Sequence, residues 1–396
     1  MISRSIFLLV NHYPYSTQEN FLEDELPILA RRFAHIYILP MCGGGKRRPV
    51  PDNCEVLSAL NLTQNRMKYI LRGLFSRKSF ALLLYEFITN RVYLSRIKFH
   101  NWVSAGLQYN NLLHSSIVGH LISKLQPDDI LYSYWGTDLI KLSLLTDNRC
   151  KVVSRFHGAW DLWEDTYENY FPLRSIIVNR LNVAVFISKK GEQYFNAKYP
   201  ECKTLFHPLG SRDYGCPKRK GGSDTVRVVS CSTVYALKRV PLIFEALNYS
   251  GFARIHWTHL GGGQGLPQLK ELVKKNKKEH LIVNLPGQMS HDEVINYYKE
   301  NETDIFINLS ESEGVPVSIM EAMSFNIPVL ATNVGSTCEE VTSEVGELVS
   351  AMPTVEEISL TIAKMLKSYY TPRTYWEKHY NADVNYEKFA EMLANL

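Results

Sequence analysis

Nothing in these 396 residues forms a run of about 18 or more uninterrupted apolar side chains, so no segment reads as a membrane-spanning helix. The seven cysteines, an odd number without a CxxC pair, read as reduced thiols and argue against both a disulfide framework and a zinc site. No Asp-x-Asp pair occurs, so a common carboxylate arrangement for a phosphate-bound divalent cation is missing. Excess charge is also small: a formal +4 does not imply nucleic acid, and no nucleic-acid partner is expected. The opening MISRSIFLLVNHYPYS has a short apolar core and no small-residue cleavage site. It reads as a first strand and turn rather than a secretory signal, and a cytoplasmic location follows as an expectation.

What is present is a repeated alternation of short β-rich apolar runs with helical periodicity. In the first half the runs are 6–10, 36–39, 130–133, 152–156 and 183–188, and in the second 226–231, 255–260, 282–285, 305–309 and 329–332. This pattern predicts an α/β chain of two Rossmann-like, doubly wound domains. DYGCPKRKGGSD, at 213–224, combines Gly, Pro and charge without apolar periodicity and marks the break. We therefore expect domains over 1–215 and 216–374, with the groove between them as the default binding site.

The stretch 304–340 carries the most chemistry. Strand-like Asp304-Ile305-Phe306-Ile307-Asn308-Leu309 leads into a loop with Glu313, then a helical run with Glu321 eight positions later, then strand-like Pro328-Val329-Leu330-Ala331-Thr332. Such a βαβ unit places its loops beyond the carboxyl ends of the strands, where open parallel sheets bind ligands. Glu321, flanked by Ile319, Met320, Ala322 and Met323, needs hydrogen-bond donors to stay charged, and two adjacent ribose hydroxyls would supply them. Glu313 precedes Pro316, where a carboxylate can reach sugar hydroxyls while the N–H groups from Val315 to Ser318 open toward a phosphate. By itself, a glutamate recurring at this spacing would more often mark a solvated helix face.

The joint pattern of Glu313-Gly314-Val315-Pro316, Glu321-Ala322-Met323, Pro328-Val329-Leu330-Ala331-Thr332 and Gly335-Ser336 resembles the nucleotide-sugar signature of glycosyltransferase family 4, which has the GT-B fold. The resemblance implies two domains facing a cleft, with the donor bound through Glu313, Gly314, Val315, Pro316, Val317 and Glu321. It also implies a cationic clamp on the donor diphosphate after the first strand of the second domain. The lysine of that clamp falls on Lys238, whereas the arginine position is occupied by Thr233, leaving Arg239 or a more distant residue as the second cation. Gly261 belongs to a family-like glycine turn in HLGGGQG; the strand after it lacks the acidic end of a dinucleotide fingerprint. Gly287 opens a loop that the resemblance places near the nucleobase. His157, at the end of a first-domain strand, corresponds to a cleft histidine, with Arg155 and Asp161 beside it. A lone histidine is as readily structural. Many family members have a double glycine in the first strand-to-helix loop; Ser16 and Thr17 stand there instead, and Glu23 and Glu25 read as solvated charges on the next helix.

Two peripheral segments complete the reading. Between Arg66 and Lys98 many basic residues alternate with leucines and phenylalanines against the single acid Glu86. The region suits contact with anionic lipid, or equally two ordinary amphipathic helices. The segment 375–396 bears aromatic anchors and, by resemblance, returns to pack on the first domain. The implied activity is a retaining, metal-independent transfer from a nucleoside-diphosphate sugar to a glycan or lipid-linked saccharide in surface-polysaccharide assembly, catalysed by His157, Lys238 and Glu313, with no cofactor beyond the donor. A GT-B nucleotide-sugar epimerase and a non-catalytic sugar-nucleotide binding subunit are the alternatives.

Overall fold

The computed structural model describes residues 2–16, 19–61, 77–158, 160–217 and 224–396. They form two compact units, Met1–His207 with Tyr386–Leu396, and Pro208–Asn385. Each is built on one parallel sheet. In the first, the strands from edge to edge are β3 (Cys54–Val56), β2 (Phe33–Pro40), β1 (Ile2–Val10), β4 (Ile130–Ser133), β5 (Lys151–Phe156), β6 (Val183–Phe186) and β7 (Thr204–Phe206). Leu8 of β1 pairs with Ile38 on one side and Tyr132 on the other. Ile6 to Val10 are all buried, as a central strand covered by helices on both faces requires.

The second sheet runs β10 (Leu281–Gly287), β9 (Ile255–Leu260), β8 (Val226–Cys231), β11 (Ile305–Asn308), β12 (Val329–Thr332) and β13 (Gly346–Val349). Chain order reverses between β8 and β11, and the crevice at such a switch point, outside the strand ends, is where doubly wound sheets hold ligands. Trp257, Phe244, Ile305, Ile307 and Leu330 anchor the core beneath it.

The break differs from the sequence expectation. Pro208 to Ser211 belongs to the second unit because it is stitched to that unit's C-terminal helices: Ser211 N–H donates to the Tyr380 carbonyl at 3.0 Å, Ala382 N–H to the Ser211 carbonyl at 3.0 Å, and Trp376 Nε1 to Ser211 Oγ at 2.8 Å. The same bonds keep Tyr375, Trp376 and Tyr380 in the second unit. Only Tyr386 onward joins the first, where Phe389 is buried beneath the Arg155 guanidinium, 4.2 Å from ring centroid to Cζ. Part of the expected linker, 218–223, and the basic positions Arg66, Lys68 and Arg72 lie outside the described residues. Among the described residues no helix is long and apolar enough to cross a membrane.

Candidate active site

At the switch point the loops after β8 and β11 are locked together. The β8 loop makes one turn of 3-10 helix, Ala236–Lys238, and enters the helix Val240–Tyr249 through Arg239 in a left-handed conformation (φ 45°). Glu311 N–H donates to the Leu237 carbonyl at 2.8 Å. Lys238 Nζ then lies 2.5 Å from Glu313 Oε1, and Asn308 Nδ2 donates to the same oxygen at 3.2 Å. Asn308 is itself oriented, since its Oδ1 accepts from Ser310 N–H at 3.0 Å and Ser310 Oγ at 2.7 Å. Lysine and glutamate, far apart in sequence, thus form one pair with little solvent access.

Arg239 takes another role than the sequence suggested. Its guanidinium donates to the carbonyls of Leu309 at 2.6 Å, Ser310 at 2.9 Å and Ala351 at 3.0 Å. A guanidinium so occupied shapes the β11 loop rather than facing a diphosphate. Thr233 is exposed in the β8 loop and carries no charge to replace it.

Glu321 sits in the helix Val317–Ser324, which starts directly after the extended Pro316 without any side-chain cap. Pro316 is therefore the residue before the helix rather than part of its first turn. Val315 and Gly314 form the bend that precedes it. One donor to Glu321 went unnoticed in the sequence: His291 Nε2 is 2.8 Å from Glu321 Oε1, brought there by the helix His291–Glu300 with its Ser290–Glu293 capping box. Cys231, the last residue of β8, connects the two halves of the site. Burial, then the charge of Glu321, pushes its thiol up to about 12, with Lys238 opposing. Lys238 and Glu313 are thus in contact, and Glu321 stands on the helix that the Glu313 loop leads into.

Two glycines make this geometry possible. A Cβ at Gly261, where φ is +148°, would meet the Ser232 carbonyl oxygen at 2.0 Å, so only glycine lets the β9 loop press on the start of the β8 loop. A Cβ at Gly335, φ +54°, would lie 1.8 Å from the Glu313 carbonyl oxygen. Behind Glu313 lies Glu340, fully buried, with no hydrogen-bond partner for either oxygen among the described residues. Burial, then the charges of Glu313 and Glu339, holds its carboxyl well above the usual range. Gly287 ends β10 opposite Leu260.

In the first unit, His157 follows β5 and is buried, and neither ring nitrogen has a hydrogen-bond partner among the described residues. Its ring packs on Trp135 at 4.2 Å, which stacks on Trp160 at 4.9 Å. Asp161 fixes the turn by accepting from the backbone N–H groups of His157 (3.0 Å) and Gly158 (3.1 Å). Arg155, by contrast, points into the core and pairs with Glu25; both are fully buried, and Tyr132 donates to Glu25 at 3.0 Å. Glu25 is thus a buried counter-charge and not the solvated residue expected, and Glu23 pairs with Arg48 at 2.7 Å. Burial would lower the Arg155 pKa, but the Glu25 charge outweighs it and holds the guanidinium above its ordinary value. The first strand-to-helix loop holds a residue that escaped notice, Glu19. Its carboxylate accepts from the N–H groups of Asn11 (2.9 Å), His12 (2.7 Å) and Tyr13 (2.7 Å), filling with a side chain the kind of nest that otherwise receives an anion. Ser16 is partly buried, and Thr17 falls outside the described residues.

Residues 222–382 match the family model described as glycosyl transferases group 1. The O-antigen biosynthesis glycosyltransferase WbnH of Escherichia coli is 33% identical over 110 residues, 28% of this chain and 29% of that protein. WclY, an O-antigen biosynthesis glycosyltransferase of the same species, is 23% identical over 208 residues, 47% of this chain and 55% of that protein. The chain thus spans less than two thirds of the length of these relatives. Over the whole chain the fold is shared with the lipopolysaccharide outer core galactosyltransferase WaaB (TM-score 0.67, 12% identity, 98% of this chain and 99% of that one). It is shared also with Anabaena Alr3699/HepE in complex with UDP and glucose (TM-score 0.65, 13% identity, 99% and 100%). The two parallel sheets share the fold of these GT-B structures, and residues 222–382 are similar to the glycosyl transferases group 1.

Proposed function

We propose that the protein is a retaining glycosyltransferase of the family 4 type, moving a sugar from a nucleoside-diphosphate donor to a glycan or lipid-linked saccharide in surface-polysaccharide assembly. The Lys238–Glu313 pair, with Glu321 on the helix that follows the Glu313 loop, supports this reading. When donor binds, its diphosphate takes Lys238 as counter-ion and releases Glu313 for hydroxyls of the transferred sugar. Glu321 keeps Oε1 on His291 and offers its second oxygen to the ribose. As the glycosidic bond to the donor breaks, negative charge grows on the leaving diphosphate, and Lys238 with the uncapped start of the helix Val317–Ser324 stabilises it without a metal. His157, whose Nδ1 lies 3.7 Å from Asp161 Oδ2 and whose Nε2 has no hydrogen-bond partner among the described residues, serves the acceptor side. The exposed Phe80, Leu84, Tyr85 and Ile88 favour an attachment of the basic first-unit region to anionic membrane over the reading of two ordinary helices.

The test is acceptor-dependent release of nucleoside diphosphate from a panel of UDP- and GDP-sugars. Lys238→Ala is expected to lower kcat by roughly 100-fold or more, a loss of about 3 kcal/mol in transition-state stabilisation. Chelator should leave the wild-type rate unchanged, and NMR of the product should show the donor's anomeric configuration. Full activity in Lys238→Ala, or conversion of the sugar nucleotide with no acceptor present, overturns the reading.

A further inference from the structure

Glu321 lies in a stretch, Ile319 to Ser324, in which every residue is buried. A carboxylate so placed needs a donor to hold its charge and to fix its rotamer. Packing between two helices determines which donor it gets. His291 and Tyr298, two turns apart on the helix His291–Glu300, share the face that meets the Glu321 helix, and Tyr298 packs on Phe325 at that helix's end with ring centroids 5.3 Å apart. The Tyr298 hydroxyl is buried and has no hydrogen-bond partner among the described residues, while Ser324 Oγ donates to the Glu321 carbonyl at 2.7 Å rather than to its side chain. Among the described residues the imidazole of His291, with Nε2 2.8 Å from Oε1, is therefore the group that holds the carboxylate.

The imidazole is itself fixed from two directions. Its helix starts with the Ser290–Glu293 capping box, and the Tyr214 ring meets it at 5.9 Å with 67° between the planes. Tyr214 is held in turn: Arg373 Nη1 donates to Asp213 Oδ1 at 2.9 Å and to the Ser324 carbonyl at 2.8 Å, tying the residue before Tyr214 to the end of the Glu321 helix. Lys299 Nζ lies 5.4 Å from the Tyr214 ring centroid. The pair opens to solvent through the histidine, whose side chain is 38% exposed against 12% for Glu321. A pair so open on one side adds little to stability, and what it fixes is direction. With Oε1 tied to His291, the carboxylate has one orientation to present to a hydroxyl; released, it would spread its acceptors over several rotamers and lose affinity in choosing one.

We propose that His291 is a positioning residue that sets donor specificity: by holding Glu321 in one orientation it makes the site discriminate ribonucleotide from deoxyribonucleotide donors. This rests on the donor reading given above and deepens it, naming a ribose hydroxyl as the group that the His291–Glu321 pair reads. Calorimetric titration with UDP and GDP, and with their 2′-deoxy and 3′-deoxy forms, measures the discrimination without any transfer. For the diphosphate that wild type binds more tightly, removing the hydroxyl that Glu321 accepts should weaken binding by about tenfold or more, the size of a hydrogen bond to a charged acceptor. In His291→Ala that penalty should shrink to about threefold, with the deoxy form bound as in wild type. His291→Gln, which keeps an N–H donor, should restore most of the penalty. The double variant His291→Ala/Glu321→Gln should match Glu321→Gln alone. A full penalty in His291→Ala overturns the proposal. So do losses that add in the double variant, which put His291 on the ribose itself, and an equal weakening of ribo and deoxy forms in His291→Ala, which makes the pair structural only. A wild type that binds neither diphosphate, or binds ribo and deoxy forms alike, overturns it together with the ribose role of Glu321. A penalty that depends on His291 in a protein that transfers no sugar upholds the pair and removes the transferase reading alone.

Discussion

Two buried titratable side chains give the second unit opposite responses to pH. His259 of β9 accepts from Ser230 Oγ at Nδ1 (2.9 Å) and donates from Nε2 to the Ser232 carbonyl (3.0 Å), at the root of the loop that carries Lys238. Burial lowers its pKa to about 4, with the Ser232 bond opposing. Between about 4 and 6.5 the unfolded chain binds more protons than the native one, so stability is complete above that window and falls by about 3 kcal/mol as acid is added through it. Glu340 acts in reverse: its raised pKa means the native state holds a proton that the unfolded state loses, so its contribution declines as pH climbs above about 4.5. Urea unfolding in steps of pH should show the acid-side slope flattened in His259→Gln and the decline at higher pH flattened in Glu340→Gln. Glu313 and Glu321 were legible as candidates because they share one local motif, whereas Lys238, 75 positions before Glu313, was reached only through the family resemblance. His291, Glu19 and Glu340 were not, since their meaning depends on partners from other elements: Glu321 for His291, Trp135 and three backbone N–H groups for Glu19, and the Glu313 loop for Glu340.

Elements show the same division between local and long-range information. All ten strand runs read from apolar patterning exist; nine are interior strands of a parallel sheet, near-continuously apolar because both faces are covered, and the tenth, β10, is an edge strand. The strands left unread, β3, β7 and β13, lie at sheet edges and are short and mixed in polarity: CEV, TLF and GELV. Their pairing rests on a neighbour already in place. The loop elements obey a packing constraint that no periodicity reveals, the contact of Gly335 with the backbone of Glu313. Gly335→Ala should therefore push the β11 loop away from Lys238, lowering kcat by roughly 100-fold while costing only about 1–3 kcal/mol of stability. Steady-state kinetics beside a melting curve checks this; a variant that melts early but retains its kcat would place the strain elsewhere.

At the scale of the molecule, two α/β units were readable from alternation alone, but their seam was not. Composition pointed to the Gly- and Pro-rich 213–224 segment, whereas backbone bonds to the C-terminal helices draw Pro208 to Ser211 into the second unit. Within the first unit Phe389 lies against Arg155, Tyr132 and His207, shielding the Arg155–Glu25 pair. Phe389→Ala should destabilise that unit by about 3–5 kcal/mol. Limited proteolysis along a denaturant series should then find cuts within 77–207 appearing well before cuts in 226–385. Tyr386–Leu396 leaves the ribosome after every residue of Pro208–Asn385. The unit translated first is thus finished last, and a chain halted at Asn385 would hold all of the second unit while the first still lacks the aromatic lid over its buried ion pair.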